Sequence, residues 1–235
     1  MVVYQEKRVP GRIILSAVVL IGIGVAVFCA TSCHPGPPRF SPLPPEVISI
    51  EGYASLRLTR GGETAKSRLS FIFVLPDRGR IEALDPLGRT ISILLMDNEE
   101  AFLVLPSKKA YWRAGRDEAL AKLLGFELSP KEITDILSGN ADAMSGWELE
   151  QDGQGRTVRG ERDSLRFDVK QFFGKSALPQ LLALSRGGEK GSLRIIRLNF
   201  NQPLKDAVFE RAFLWDEAYR PTTWAEMEKW LKDEN

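Results

Sequence analysis

VISIEGYASLRLTR, Val47 to Arg60, decides the fold. Ile48, Ile50, Gly52, Ala54, Leu56 and Leu58 fall on one side of it, with Ser49, Glu51, Ser55, Arg57 and Thr59 on the other. A period of two over this length predicts a long strand with one face buried. Gly61-Gly62 is a hairpin signal, and KSRLSFIFVLP, ending at Pro76, reads as the returning strand. Asp77-Arg78-Gly79 turns again, and RIEALD, RTISILLMD, EAFLVLP and AYWRA follow with short turns between them. Six strands joined in this way predict an antiparallel meander.

The period then changes. RDEALAKLLGFEL puts Ala119, Leu120, Leu123 and Leu124 on one helical stripe that ends at Gly125. Ser129-Pro130-Lys131-Glu132 is a capping box with proline at the first helical position, so a second helix starts at Ser129 and stops near Gly139-Asn140. Strands resume at GWELEQ and continue through RTVRGE, SLRFDVKQFF, PQLLALSR and SLRIIRLNF, with AVFERAFLW as the expected last strand. Thr223-Trp224-Ala225-Glu226 opens a C-terminal helix with Met227, Trp230 and Leu231 on one side. The expected class is α+β, mainly β. One domain spans residues 47–235, with the C-terminal helix from about residue 222.

The second strand (Leu69, Phe71 and Phe73, but also Ile72 and Val74) is apolar on both faces. So is the fourth (Ile91, Ile93 and Leu95, but also Leu94 and Met96). A strongly curved sheet with helices on its concave side would bury one face. Those helices either complete an ordinary core or form a lid over an apolar cavity.

Upstream, Lys7, Arg8 and Arg12 precede Ile13 to Ala30, an uncharged run of 18 residues. That is roughly 27 Å of helix, against a hydrocarbon core of about 30 Å. After it come small residues, Ala30-Thr31-Ser32, and then Cys33. This resembles the lipoprotein-type signal of bacteria, with Ala30 where leucine is usual. It gives a signal peptide over residues 1–32, cut before Cys33, and a diacylglyceryl group on that thiol. The alternative is an uncleaved anchor in the inner membrane formed by residues 13–30. HPGPPRFSPLPPE, with six prolines, then makes a semi-extended tether to residue 46.

Cysteine and histidine are confined to Cys29, Cys33 and His34, so the folded region contains neither. Cys/His zinc sites, Ser–His–Asp triads, thiol nucleophiles and disulfides are excluded there. The formal charge of the whole chain is +1, and loss of residues 1–32 removes Lys7, Arg8 and Arg12 against Glu6. A near-neutral remainder gives no electrostatic case for nucleic acid.

The order of elements resembles the LolA/LolB lipoprotein-carrier family, most closely its outer-membrane receptor branch. Ile81 to Ile93 (IEALDPLGRTISI) and Leu123 to Asp142 (LLGFELSPKEITDILSGNAD) carry the resemblance, which covers about residues 47–215. It implies a curved half-barrel of about eleven antiparallel strands closed by a helical lid around an apolar cavity for acyl chains. It also implies a membrane-contacting leucine on the loop between the third and fourth strands, here Leu87, and points to a periplasmic LolA-like carrier as partner. Leucine at the tip of a tight turn is otherwise unusual.

On this reading Leu56, Leu58, Phe71, Phe73, Ile91, Ile93, Trp112, Leu120, Leu124 and Ile136 line the cavity. Gly115 and Gly125 would be hinges, lipoprotein acyl chains or other lipids the ligands, and no metal or cofactor is called for. Two other functions remain. One is a non-transferring assembly lipoprotein with a filled core, docking through its C-terminal helix. The other is a carboxylate hydrolase using Glu82 and Asp85, or Glu148 and Glu150, although no cleft marks such a pair.

Overall fold

The computed structural model describes residues 39–40 and 42–233. The expected signal peptide, Cys33 and most of the expected tether lie outside them. The first meander is β2 (Ser49–Arg60), β3 (Glu63–Val74), β4 (Arg78–Leu84), β5 (Thr90–Asp97), β6 (Glu100–Leu105) and β7 (Ala110–Gly115). Two helices follow, α1 (Arg116–Leu124) and α2 (Pro130–Ser138). The second meander is β8 (Glu148–Gln151), β9 (Thr157–Arg162), β10 (Leu165–Phe172), β11 (Pro179–Arg186) and β12 (Glu189–Phe200). Two-residue pieces, β1 (Arg39–Phe40) and β13 (Arg220–Pro221), pair in parallel with β12 and β7.

All strands belong to one open, curved sheet, ordered β13-β7-β6-β5-β4-β3-β2-β12-β11-β10-β9-β8, with β1 beside β12. The eleven longer strands match the expected half-barrel. The two meanders meet at a single antiparallel seam, where β2 runs against β12 from Ile50↔Phe200 to Thr59↔Lys190. Asn201 locks one end of it: its Oδ1 accepts the backbone N–H of Ile48 at 2.9 Å and of Ser49 at 3.1 Å. The expected inner face of this strand therefore starts at Ile50, and Ile48 stands 57% exposed.

The helices begin where their sequence signals lie. Ser129 and Glu132 form the reciprocal capping box, and Gly125 and Gly139 end α1 and α2 in left-handed conformations. Both helices pack on the concave side, α1 against β5–β7 and α2 against β11. Phe73, Leu94, Met96, Leu103, Leu120 and Phe167 are among the buried residues of that core.

The outer apolar residues have a separate cover. AVFERAFLW is not a strand but two 3-10 turns, Asp206–Phe209 and Ala212–Trp215. It lies across the outer face of the sheet, where no ladder partner exists, so its backbone bonds close locally: Val208 donates to Lys205 and Leu214 to Arg211. Phe213 packs on Phe102 and Tyr111, with ring centroids 5.8 and 5.4 Å apart. Arg211 donates to Asp97 at 2.7 Å, and Arg80 donates to the Val208 carbonyl at 2.9 Å. This strap buries Phe102, and Leu95 and Val104 on the same face of the sheet are also buried. The chain then pairs with the edge strand β7 and enters α3 (Trp224–Asp233). There Trp224 lies 4.8 Å from Trp112 and Met227 is fully buried.

Candidate functional site

Beneath α1, α2 and their connecting loop lies a cavity of about 60 Å³ whose lining side chains are all apolar. Leu56, Phe71, Phe73, Leu124 and Ile136 line it, as does Leu128 from the loop. Leu69, Ile81, Phe126, Ile133, Leu137, Leu182, Leu184 and Leu193 complete the wall, so the second meander contributes to it as well as the first. The period-two pattern of PQLLALSR is the sequence signal for that half. Leu58 and Ile91 line an adjoining space of about 140 Å³ with Leu123 and Leu231. Trp112 and Leu120 belong to the core outside the cavity wall.

Ile93 must be corrected. Side chains alternate along β5, and Ser92, Leu94 and Met96 are its buried inner set. Ile93 points to the outer face, opposite Glu82 and Val104 in the neighbouring ladders.

The space is small. About 60 Å³ corresponds to roughly two water molecules, whereas ligand pockets usually span about 300–1,000 Å³. The filler is Phe126, which is buried and reaches toward Gly191 on β12. A Cβ at Gly191 would sit 2.7 Å from the Phe126 ring, so glycine there is what admits the ring. At the mouth, ion pairs hold the loop and α2 to the sheet. Arg186 meets Glu127 at 2.9 Å, Arg162 pairs with Glu132, and Arg162 also donates to the Glu127 carbonyl at 3.2 Å. These groups edge an open, charged cleft of about 880 Å³ that touches the apolar cavity at Leu128.

Leu87 lies on the turn between β4 and β5 and is 79% exposed. Asp85 builds this turn. Its Oδ1 accepts the backbone N–H of Leu87 at 2.8 Å and of Arg89 at 2.9 Å, and its Oδ2 accepts from Arg89 Nε at 2.6 Å. Those hydrogen bonds, led by the Arg89 backbone, hold the Asp85 carboxyl below the ordinary carboxylate range. Gly88 takes the left-handed position at φ 82°.

The same turn occurs a second time, between β8 and β9. In Asp152-Gly153-Gln154-Gly155-Arg156, Asp152 Oδ1 accepts from Gln154 N at 2.9 Å and Arg156 N at 3.1 Å, and Arg156 Nε donates to Oδ2 at 2.8 Å. Gly155 has φ 75°. The place of Leu87 is taken by an exposed glutamine. The turn therefore has no need of a leucine. The repeated D-x-x-G-R pattern is visible in the sequence once the two hairpins are compared.

Among the described residues no group of three or more His, Cys, Asp or Glu side chains is placed to hold a metal ion. No described helix is long and apolar enough to cross a membrane.

A search of curated proteins finds no match. Among solved structures, the chain is similar to a LolA superfamily protein from Nitrosomonas europaea, with 11% identity over 73% of this chain and 94% of that one and a TM-score of 0.50. A DUF1329 family protein from Desulfovibrio piger matches at 14% identity over 72% of this chain and 92% of that one, with a TM-score of 0.49. The model of the family described as "Outer membrane lipoprotein LolB" matches residues 50–202, from the first full strand to just past the seam. The chain belongs to the LolB outer membrane lipoprotein family.

Proposed function

We propose that this chain is a lipid-anchored receptor on the periplasmic face of the outer membrane. It takes lipoprotein acyl chains beneath its helices from a soluble LolA-like carrier and delivers them to the bilayer at Leu87. It carries no catalytic step. Cys33 is the proposed site of lipidation, and the proline tether gives the domain its reach. The observation that carries the reading is the pair of matching turns: one presents glutamine to solvent, as polar surface favours, and the other presents leucine.

Apolar burial supplies the binding energy, roughly 0.8 kcal/mol for each CH₂ taken from water. An acyl chain needs more room than the closed cavity offers. Phe126 and Leu128 must leave it, which α1 and its loop accomplish by turning about Gly115 and the left-handed Gly125. Of the expected lining residues, Leu56, Phe71, Phe73, Leu124 and Ile136 are the first to touch the chain.

The small volume favours one other reading, an assembly lipoprotein whose core is simply full. A lipopeptide with a diazirine in its acyl chain separates the two. Photo-adducts on Phe71, Phe126 or Ile136 are expected for the receptor. Labelling confined to exposed surface residues, or none, leaves the assembly role.

A further inference from the structure

The outer face of the sheet has a concavity of its own, astride the seam between β2 and β12. Ser55, Ala183 and Ser192, with Leu181 and Leu182, line a basin of about 310 Å³, Arg57, Lys66, Lys170 and Arg194 stand around it, and no carboxylate lines it. Arg57 lies directly opposite Lys66 in the β2–β3 ladder, and Ser192 lies opposite Arg57 across the seam. Like charges facing each other in a ladder cost stability.

No ion pair among the described residues offsets that cost. Arg57, Lys66 and Arg194 have no ion-pair partner among the described residues. Asp168, beside the basin opposite Ala183, already accepts from Arg166 at 2.9 Å and Arg159 at 3.0 Å, with Lys170 at 3.7 Å. Four cations around a basin that also offers two serine hydroxyls suit a phosphate-sized anion.

The neighbourhood says what bears that anion. Arg68, the next outward residue after Lys66 on β3, donates to the Pro86 carbonyl at 3.2 Å. A cationic band thus runs from the basin to the Leu87 turn. That turn leaves β4 at Leu84, directly opposite Arg68. β2 lies two strands from β4, roughly 10 Å at about 4.8 Å per strand.

We propose that the basin binds the phosphate headgroups of anionic phospholipids while Leu87 enters the same bilayer, so that the protein docks by preference on anionic membrane. The choice of a phospholipid as bearer rests on the membrane-contacting reading of Leu87; the anion site itself does not.

The test is acetylation footprinting of the full chain reconstituted in vesicles of phosphatidylcholine alone or with roughly a third phosphatidylglycerol. Lys66 and Lys170 report on the basin, and exposed Lys229 is the reference. Phosphatidylglycerol is expected to slow acetylation of both basin lysines by about fivefold, the effect of one cation at an anionic surface, without changing Lys229. Replacing Arg57→Ser and Arg194→Ser together abolishes the protection and leaves the melting temperature unchanged or raised. Equal acetylation in the two vesicle types overturns the proposal. Protection by inorganic phosphate or polyglutamate but not by phosphatidylglycerol also overturns it, making the site one for soluble anions or acidic protein. A benzoylphenylalanine in place of Leu87 reports on the turn separately. Lipid adducts there with unprotected lysines sink the basin and spare the receptor reading; protected lysines without adducts do the reverse.

Discussion

The carboxylate of Asp85 accepts the backbone N–H of Leu87 at 2.8 Å, so the exposed leucine is held by the residue two places before it. Asp152 holds Gln154 in the same way at 2.9 Å. Leu87→Gln therefore copies a side chain that this turn already accepts. Stability is expected to stay within about 0.5 kcal/mol of the parent in denaturant unfolding. Delivery of an acylated lipoprotein into vesicles is expected to be lost. A variant that unfolds would make Leu87 a packing residue instead.

Acid should unfold the domain through a few carboxylates. Asp168 is held at about 2, chiefly by its hydrogen bonds from Arg166, and Asp85 and Asp152 are lowered by their turns. A carboxylate whose folded pKa lies below its unfolded value of about 3.9 stabilises above that value and loses the contribution as pH falls through the folded pKa. The only histidine, His34, lies ahead of the folded region. The melting temperature should thus be flat from pH 7 to about 5 and fall below about pH 4. In Asp168→Asn the part of the fall that continues toward pH 2 should disappear.

Phe126 fills the space an acyl chain would need. Phe126→Ala should cost about 3–5 kcal/mol in denaturant unfolding and increase uptake of acylated lipopeptide. Gly191→Ala pushes on the same ring from the opposite side and should cost about 1–3 kcal/mol. Stability lost in both variants with no gain in uptake would favour the filled core.

The strands and caps are legible in the sequence because their signals are local. Period two in VISIEGYASLRLTR and the capping box at Ser129 each need only a few neighbouring residues. Ile93 shows the limit. Both faces of β5 are apolar, so alternation alone cannot tell inside from outside, and the answer depends on a strap more than a hundred residues later. That strap is itself misread as a strand because its apolar residues seek a sheet face, not a sheet edge. The basin depends on register across the seam, where residues far apart in sequence become neighbours.

α3 is bound to the edge of the sheet through Met227, which is fully buried. Met227→Ala should destabilise by about 2–5 kcal/mol, and limited proteolysis should then cut first near Arg220. Resistance there would show that β13 holds the edge strand unaided.

Anchoring has its own test. Cys33→Ser is expected to leave a full-length precursor in membranes, seen as a heavier, unlipidated species by mass spectrometry. A variant processed and membrane-bound like the parent would overturn lipidation at Cys33.

The single seam also sets the order of assembly. Each meander is a chain of hairpins whose partners are near neighbours, so either can form early and at small entropic cost. The bond from Ile48 N to Asn201 closes a loop of 153 residues, and long-range strand pairing of this kind is slow. Until β2 meets β12, both half-sheets expose the leucines and phenylalanines that later surround the cavity. During that interval the chain itself presents the kind of apolar surface that a holdase covers.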